Sequence, residues 1–200
     1  MAELRAIETQ YKGFRFRSRL EARWAVFFDA MGIKYLYEPE GYRLSDGTCY
    51  LPDFYLPMAD QYFEVKGVLR PVDELKIEQF VKESRKQVVI GFDDFQFSVC
   101  SNYVDTGCCG NGFSRENNEN SVLMKCNRCG AYYFAGVSGT WDCTGCGYYD
   151  GDQTSQWVSA GETKTENIIC EKYEKTKFKK AVEKAKQARF EHGESGYSGR

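Results

Sequence analysis

Histidine is almost absent: the 200 residues hold one, His192, close to the C-terminal end. Ser-His-Asp triads, histidine-centred zinc proteases and His-metal nucleases would all have to be built on that tail residue, which removes them from consideration. Long apolar runs are also missing. None approaches the roughly 20 residues of a membrane span, so no membrane partner is expected. The start, Met1-Ala2-Glu3-Leu4-Arg5, carries a glutamate and lacks the apolar core of a signal peptide. A cytoplasmic location is expected on that basis. An excess of basic charge is missing too, since 27 Lys and Arg face 29 Asp and Glu for a net charge of −2. Overall charge therefore gives no nucleic-acid footprint, and any such partner would have to be met by a local patch.

What is present in quantity is cysteine, nine residues and thus an odd number. In a chain read as cytoplasmic, paired spacings point to metal before disulfides. Cys126-Asn127-Arg128-Cys129 and Cys143-Thr144-Gly145-Cys146 are two C-x-x-C knuckles with thirteen residues between them. Four thiolates at that spacing suit tetrahedral Zn²⁺, and Gly130 and Gly147 after the knuckles let the chain turn around the ion. Four protein ligands leave no open position, so the zinc is expected to be structural. Tyr132, Tyr133 and Phe134, then Trp141, are the expected strands of a zinc ribbon. The ribbon would present Lys125 and Arg128 to nucleic acid, bind a protein, or staple a small subdomain. Cysteines 49, 100, 108, 109 and 170 have no partner spacing of this kind.

A hydrophobic share of 42% and a charged share of 28% describe a globular chain, long enough for one domain and a small module. Residues 11–17 alternate aromatic and basic, as a short strand with one buried face would. Ser18 to Met31 is predicted helical, with Leu20, Trp24, Phe27, Phe28 and Met31 as its apolar stripe and Gly32 as its stop. Strands are expected at Lys34 to Tyr37, Cys49 to Leu56 (after an Asp46-Gly47 turn), Tyr62 to Val68 and Gln87 to Phe92, and a helix at Asp73 to Lys86. The order α, β, β, β, α, β is a mixed α/β core of about 90 residues. A polar linker follows at 105–120, then the cysteine module at 121–156. A return strand from Trp157 and a helix from Asn167 to Phe190 would pack back on the core, through Phe178, Ala181, Val182, Ala185 and Ala188.

Within that core, Pro52-Asp53 precedes Glu64-Val65-Lys66. Side chains alternate along a strand, so Glu64 and Lys66 share a face while Val65 points away. A hairpin would bring Asp53 beside Glu64. Two carboxylates and one ammonium at a point are what a hydrolase needs to hold Mg²⁺ against a phosphate. The plainer alternative is an exposed Glu64–Lys66 pair on a solvated sheet face.

Arg19-Leu20-Glu21-Ala22-Arg23-Trp24-Ala25, Tyr50-Leu51-Pro52-Asp53-Phe54 and Glu64-Val65-Lys66-Gly67 together resemble the PD-(D/E)XK nuclease superfamily, and within it a group of small phage-type nucleases. The likeness covers residues 11–95, with 1–104 as the nuclease core. It implies a restriction-endonuclease-like mixed sheet flanked by helices, with the small four-cysteine zinc ribbon appended. It implies metal-dependent DNA hydrolysis leaving 5′-phosphates, RNA not being excluded, in phage-type DNA processing, recombination or junction cleavage. Asp53, Glu64 and the Val65 carbonyl would hold Mg²⁺ or Mn²⁺, Lys66 would orient water or stabilise the phosphorus centre, and Glu21 would reach in from the helix. Glu21 has a second explanation, because Ser18-Arg19-Leu20-Glu21 is also a capping box.

Arg15, Arg17 and Arg23, with Arg128 on the ribbon, are the phosphate-contact candidates. Arg15 and Arg17 stand first because they lie closer to the proposed site than the lysines of the last helix. A solvated helix face explains Arg23 equally well. The lysines of the last helix alternate with glutamates and read as a solvated face. Paired cuts in both strands would need a symmetric homodimer. The alternative function is a catalytically inactive nuclease-fold protein that acts through its zinc ribbon as a nucleic-acid or protein adaptor.

Overall fold

The computed structural model describes residues 6–100, 121–136, 143–148, 156–157 and 172–190. It is a mixed α/β protein with three helices among the described residues. Expectations for the 105–120 linker, for Trp141, for His192 and for Cys108, Cys109 and Cys170 fall outside them.

The alternating stretch at 11–17 is not one strand. It is a hairpin of β1 (Thr9–Tyr11) and β2 (Phe14–Phe16), turned at Lys12 (φ 48°) and Gly13 (φ 82°). Two successive positive φ values match the twist of the flanking strands, and the glycine adopts its value without strain. Helix α1 (Arg19–Met31) follows at once. Ser18 caps it and Gly32 closes it at φ 74°. Its stripe of Trp24, Phe27, Phe28 and Met31 is fully buried.

Next come β3 (Leu36–Tyr37), β4 (Tyr42–Arg43), β5 (Cys49–Tyr50) and β6 (Phe54–Leu56). The single strand expected over 49–56 is thus broken at Leu51-Pro52-Asp53. Proline has no N–H for a ladder, and the break lets β5 pair with β4 while β6 joins the main sheet. Then follow β7 (Gln61–Val65), α2 (Pro71–Ser84), β8 (Gln87–Gly91) and β9 (Phe97–Cys100). The main sheet runs β3-β6-β7-β8-β9. Only β7 and β8 are parallel in it, joined by the crossover through α2. Parallel neighbours need such a crossover, and it covers one face of the sheet with Ile77, Phe80 and Val81.

The other face packs on α1. Phe63 lies 4.7 Å from Trp24 and 5.0 Å from Phe28, ring centre to ring centre. Every residue of β7 is buried, as a central strand covered on both faces requires.

The cysteine segment contributes β10 (Ser121–Lys125), β11 (Tyr132–Gly136) and β12 (Gln156–Trp157), with β10 in the middle. It shares the main hydrophobic core. Phe134 stacks against Phe63 at 5.4 Å and Phe97 at 4.7 Å, and Val122, Leu123 and Met124 belong to the same cluster. The buried Gln61 side chain joins the two sheets by donating to the Phe134 carbonyl (2.7 Å) and accepting from its N–H (2.9 Å). Helix α3 (Lys172–Gln187) closes the core through Phe178, Ala181 and Ala185, with Phe178 5.4 Å from Phe27. No described helix is long and apolar enough to cross a membrane.

Candidate functional site

Asp53, Glu64 and Lys66 meet at one end of the main sheet. The β6–β7 pairing sets Phe54 opposite Phe63, which places Asp53 beside the end of β7. Asp53 is 4% exposed, and its Oδ2 accepts from the Val65 N–H at 2.7 Å. Glu64 is 3% exposed. Its Oε1 pairs with Lys66 Nζ at 2.7 Å, and its Oε2 accepts from the Tyr50 hydroxyl at 3.1 Å. Lys66 is fixed through its backbone, whose N–H donates to the Gly91 carbonyl at 2.9 Å. Glu64 is therefore inside the protein with Lys66 half-buried beside it, and the reading of an exposed pair on a solvated face does not hold.

The charges are strongly perturbed. Burial, then the carboxylates of Glu64 and Glu21, push the Asp53 carboxyl well above the ordinary carboxylate range, against the Val65 N–H and Lys66. For Lys66, burial works against the ammonium, but Glu64 and then Asp53 outweigh it and raise its pKa. Lys66 is thus a cation at neutral pH. It can orient a donor or neutralise an anion, but it holds no free lone pair for accepting a proton.

Glu21 comes to the same corner by another route. Its N–H donates to Ser18 Oγ at 3.1 Å, and Ser18 Oγ donates back to Oε1 at 2.7 Å. Its Oε2 accepts from the Arg17 N–H (3.1 Å) and the Tyr37 hydroxyl (2.7 Å). The capping role foreseen for Ser18 and Glu21 is present, and both carboxylate oxygens are already engaged.

Of the arginines among the described residues, only Arg17 is brought onto these carboxylates. Its Nη2 lies 2.7 Å from Asp53 Oδ1 and its Nε 2.6 Å from Glu38 Oε1. Arg15, exposed on β2, pairs with Glu8. Arg23 is half-buried, and its Nε has no hydrogen-bond partner among the described residues. Arg128 lies over the Tyr148 ring at 5.9 Å. Sequence reasoning missed Tyr50, Tyr37 and Glu38 as members of this cluster. Their only signal was nearness to Asp53 or to the predicted strands, and long-range pairing decides their positions.

The cysteines form a second centre. The Sγ atoms of Cys126, Cys129, Cys143 and Cys146 all lie within 4.8 Å of one another, with 126–146 at 3.8 Å and 129–143 at 3.7 Å. Four sulfurs at about 2.3 Å from a tetrahedral zinc stand about 3.8 Å apart, so the donor set fits a structural zinc. Each knuckle closes through a glycine with positive φ: Gly130 (71°) donates to the Cys126 carbonyl and Gly147 (66°) to the Cys143 carbonyl. Burial opposes ionisation of Cys126, but the N–H groups of Cys129 and Arg128 outweigh it and lower its pKa. Among the described residues, these cysteines are the one set of three or more His, Cys, Asp or Glu ligand atoms drawn so close together.

Asp53 and Glu64 supply hard oxygen donors, the chemistry that suits Mg²⁺ or Mn²⁺ and not zinc thiolate sites. The Val65 side chain is buried at the end of β7, with its N–H committed to Asp53. Comparison with protein-family models, with characterised proteins and with solved structures yields no match for this chain.

Proposed function

We propose that this chain is a divalent-metal-dependent nuclease of the PD-(D/E)XK type that hydrolyses phosphodiester bonds in DNA, with a zinc ribbon bound to its core. The observation that carries the reading is the meeting of buried Asp53 and Glu64 with half-buried Lys66 at the β6–β7 end of the sheet. The antiparallel β3-β6-β7 unit, with its parallel crossover to β8, supports the same reading.

Asp53 and Glu64 would hold the cation. When bound it would supply a more acidic water and neutralise charge on the phosphate. The Val65 N–H fixes Asp53 Oδ2, and Oδ1, now paired with Arg17 Nη2, is the oxygen that would turn to the ion. Tyr50 holds one oxygen of Glu64. Lys66, kept charged by Glu64, would orient the attacking water or meet the negative charge that builds on the phosphoryl oxygens. Glu21 acts through the cap, by fixing the Arg17 backbone and the start of α1.

The adaptor alternative draws support from one observation, the Arg17 guanidinium resting on Asp53. The experiment that separates the two is cleavage of supercoiled plasmid, of a four-way junction and of RNA, in Mg²⁺, Mn²⁺ or EDTA, by wild type and Lys66→Ala. Metal-dependent nicking that falls by ~10²-fold or more in the variant is expected, the scale seen when one transition-state charge donor is removed. A wild type that binds these substrates and cuts none of them in either metal would replace the nuclease by the adaptor.

A further inference from the structure

Arg17 is anchored at its backbone, and its half-exposed side chain reaches two carboxylates with the guanidinium. The N–H donates to Glu21 Oε2 (3.1 Å) and to the Tyr37 hydroxyl (3.0 Å), and the neighbouring Phe16 is fully buried. The side chain is 52% exposed, against 5% for the Asp53 side chain it meets. Asp53 has one oxygen committed to the Val65 N–H, so Oδ1 is the oxygen on which a further cation would bind. Arg17 Nη2 occupies it at 2.7 Å. The guanidinium also has a second seat, Glu38 Oε1 at 2.6 Å. Glu38 lies beside Asp53, because its own N–H donates to the Asp53 carbonyl at 2.8 Å.

We infer that Arg17 is a resident counter-cation of Asp53 that a divalent metal must displace, and that the displaced guanidinium, kept at the rim by Glu38, then takes a phosphate of the nucleic acid. This rests on the nuclease reading of the same site. The physical reason is charge. Without a metal, the buried carboxyl groups of Glu21, Asp53 and Glu64 meet the cations of Arg17 and Lys66. A divalent ion beside a guanidinium on the same oxygen would face direct repulsion in a poorly solvated corner. Departure of the half-exposed arginine relieves it, whereas Lys66, 22% exposed and tied to Glu64, stays. Because Arg17 leaves Asp53 in the step that frees it for phosphate, metal and nucleic acid must strengthen each other's binding by the same factor.

The test uses the zinc-loaded full chain and reads metal binding without catalysis. Free Mn²⁺ is followed by its electron paramagnetic resonance signal as each of wild type, Arg17→Gln, Arg17→Lys, Asp53→Asn and the Arg17→Gln/Asp53→Asn double variant is titrated. Mn²⁺ avoids the thiolate centre because it prefers oxygen donors. Arg17→Gln is expected to bind Mn²⁺ at least tenfold more tightly than wild type, with Arg17→Lys between them and both Asp53→Asn proteins binding none. Equal or weaker binding by a folded Arg17→Gln, with binding still lost in Asp53→Asn, overturns the placeholder and leaves the nuclease site standing. No Asp53-dependent binding in any protein overturns both.

For the second half, Ca²⁺ replaces Mn²⁺ and anisotropy of a labelled short duplex is read. Wild type should gain affinity on Ca²⁺ addition and Arg17→Gln should lose most of that gain. A full gain in the variant overturns the phosphate role. Circular dichroism and melting in EDTA show whether each variant is folded, and Arg17→Lys serves as the reference should Arg17→Gln not fold.

Discussion

Gly145 is the place where the second cysteine knuckle touches the main sheet, and one methyl group there tests whether that contact matters. A Cβ at Gly145 would fall 3.0 Å from the Met58 carbonyl carbon and closer still to its oxygen, with Ala59 Cα at 3.5 Å. Both neighbours are backbone atoms of the β6–β7 turn, anchored by the Ala59 N–H to the Leu56 carbonyl at 3.0 Å. No side chain can swing aside, so the knuckle or the turn must move by about an ångström. Gly145 has no positive φ to lose, so the substitution adds no backbone strain of its own. Overpacking of this kind costs about 1–3 kcal/mol, and the cost is capped by the free energy of seating the knuckle on the sheet. The four sulfurs lie on the chain either side of the contact, so zinc coordination should survive. Urea unfolding of Gly145→Ala, with zinc content measured by a colorimetric chelator, reads both effects. The expectation is one zinc per chain and a midpoint shift equivalent to about 1–3 kcal/mol. A variant that keeps its zinc and full stability would refute the seating of the knuckle on the β6–β7 turn.

Other perturbations have equally definite outcomes. Gln61→Leu strands the buried N–H and carbonyl of Phe134. A loss of about 2–6 kcal/mol is expected by denaturant titration, since each of the two buried groups left unsatisfied costs about 1–3 kcal/mol. Cys143→Ser should release the zinc and lower the melting temperature of the entire chain, because Cys143 is buried in the main core cluster and structural zinc is worth about 10 kcal/mol or more to small metal-stapled units. Melting restricted to the ribbon residues, followed by amide exchange, would contradict a shared core. Asp53 predicts a pH dependence in EDTA. Its folded pKa lies above the unfolded 3.8, so the native state holds a proton that the unfolded chain has lost, and stability falls as pH rises from there through the raised value. Asp53→Asn should flatten that slope; an unchanged slope would assign it to other groups.

Local order was legible in the chain because its signals are short-range. Ser18, Glu21 and Gly32 delimit α1 by capping chemistry, and the apolar stripe of that helix needs no partner to be recognised. The cysteine pairs and their following glycines set four sulfurs close enough together to hold a metal ion. The spacing within Glu64-Val65-Lys66 likewise puts the carboxylate and the ammonium on one face, as the 2.7 Å pair attests. The turn at Lys12-Gly13 and the break at Pro52 were harder. Aromatic residues flank both on either side, and the backbone dihedrals or the missing proline donor interrupt the strand.

Tertiary structure alone decided how these pieces face one another. A glutamine within a strand pattern does not announce that it will bind the Phe134 backbone 73 residues away and so weld the cysteine segment to the sheet. Nor does the sequence tell that Arg17, of several arginines near the first helix, is the one laid on Asp53 while Arg15 turns to Glu8. Such choices depend on pairing register and on which carboxylates lose water, quantities set by the whole fold and by no local pattern. The residue types and their order were therefore enough to set Asp53, Glu64 and Lys66 at one corner. Which cation sits on Asp53 Oδ1 is a property of the assembled sheet, because the burial that makes Asp53 hungry for a cation exists only once β6, β7 and α1 have closed around it.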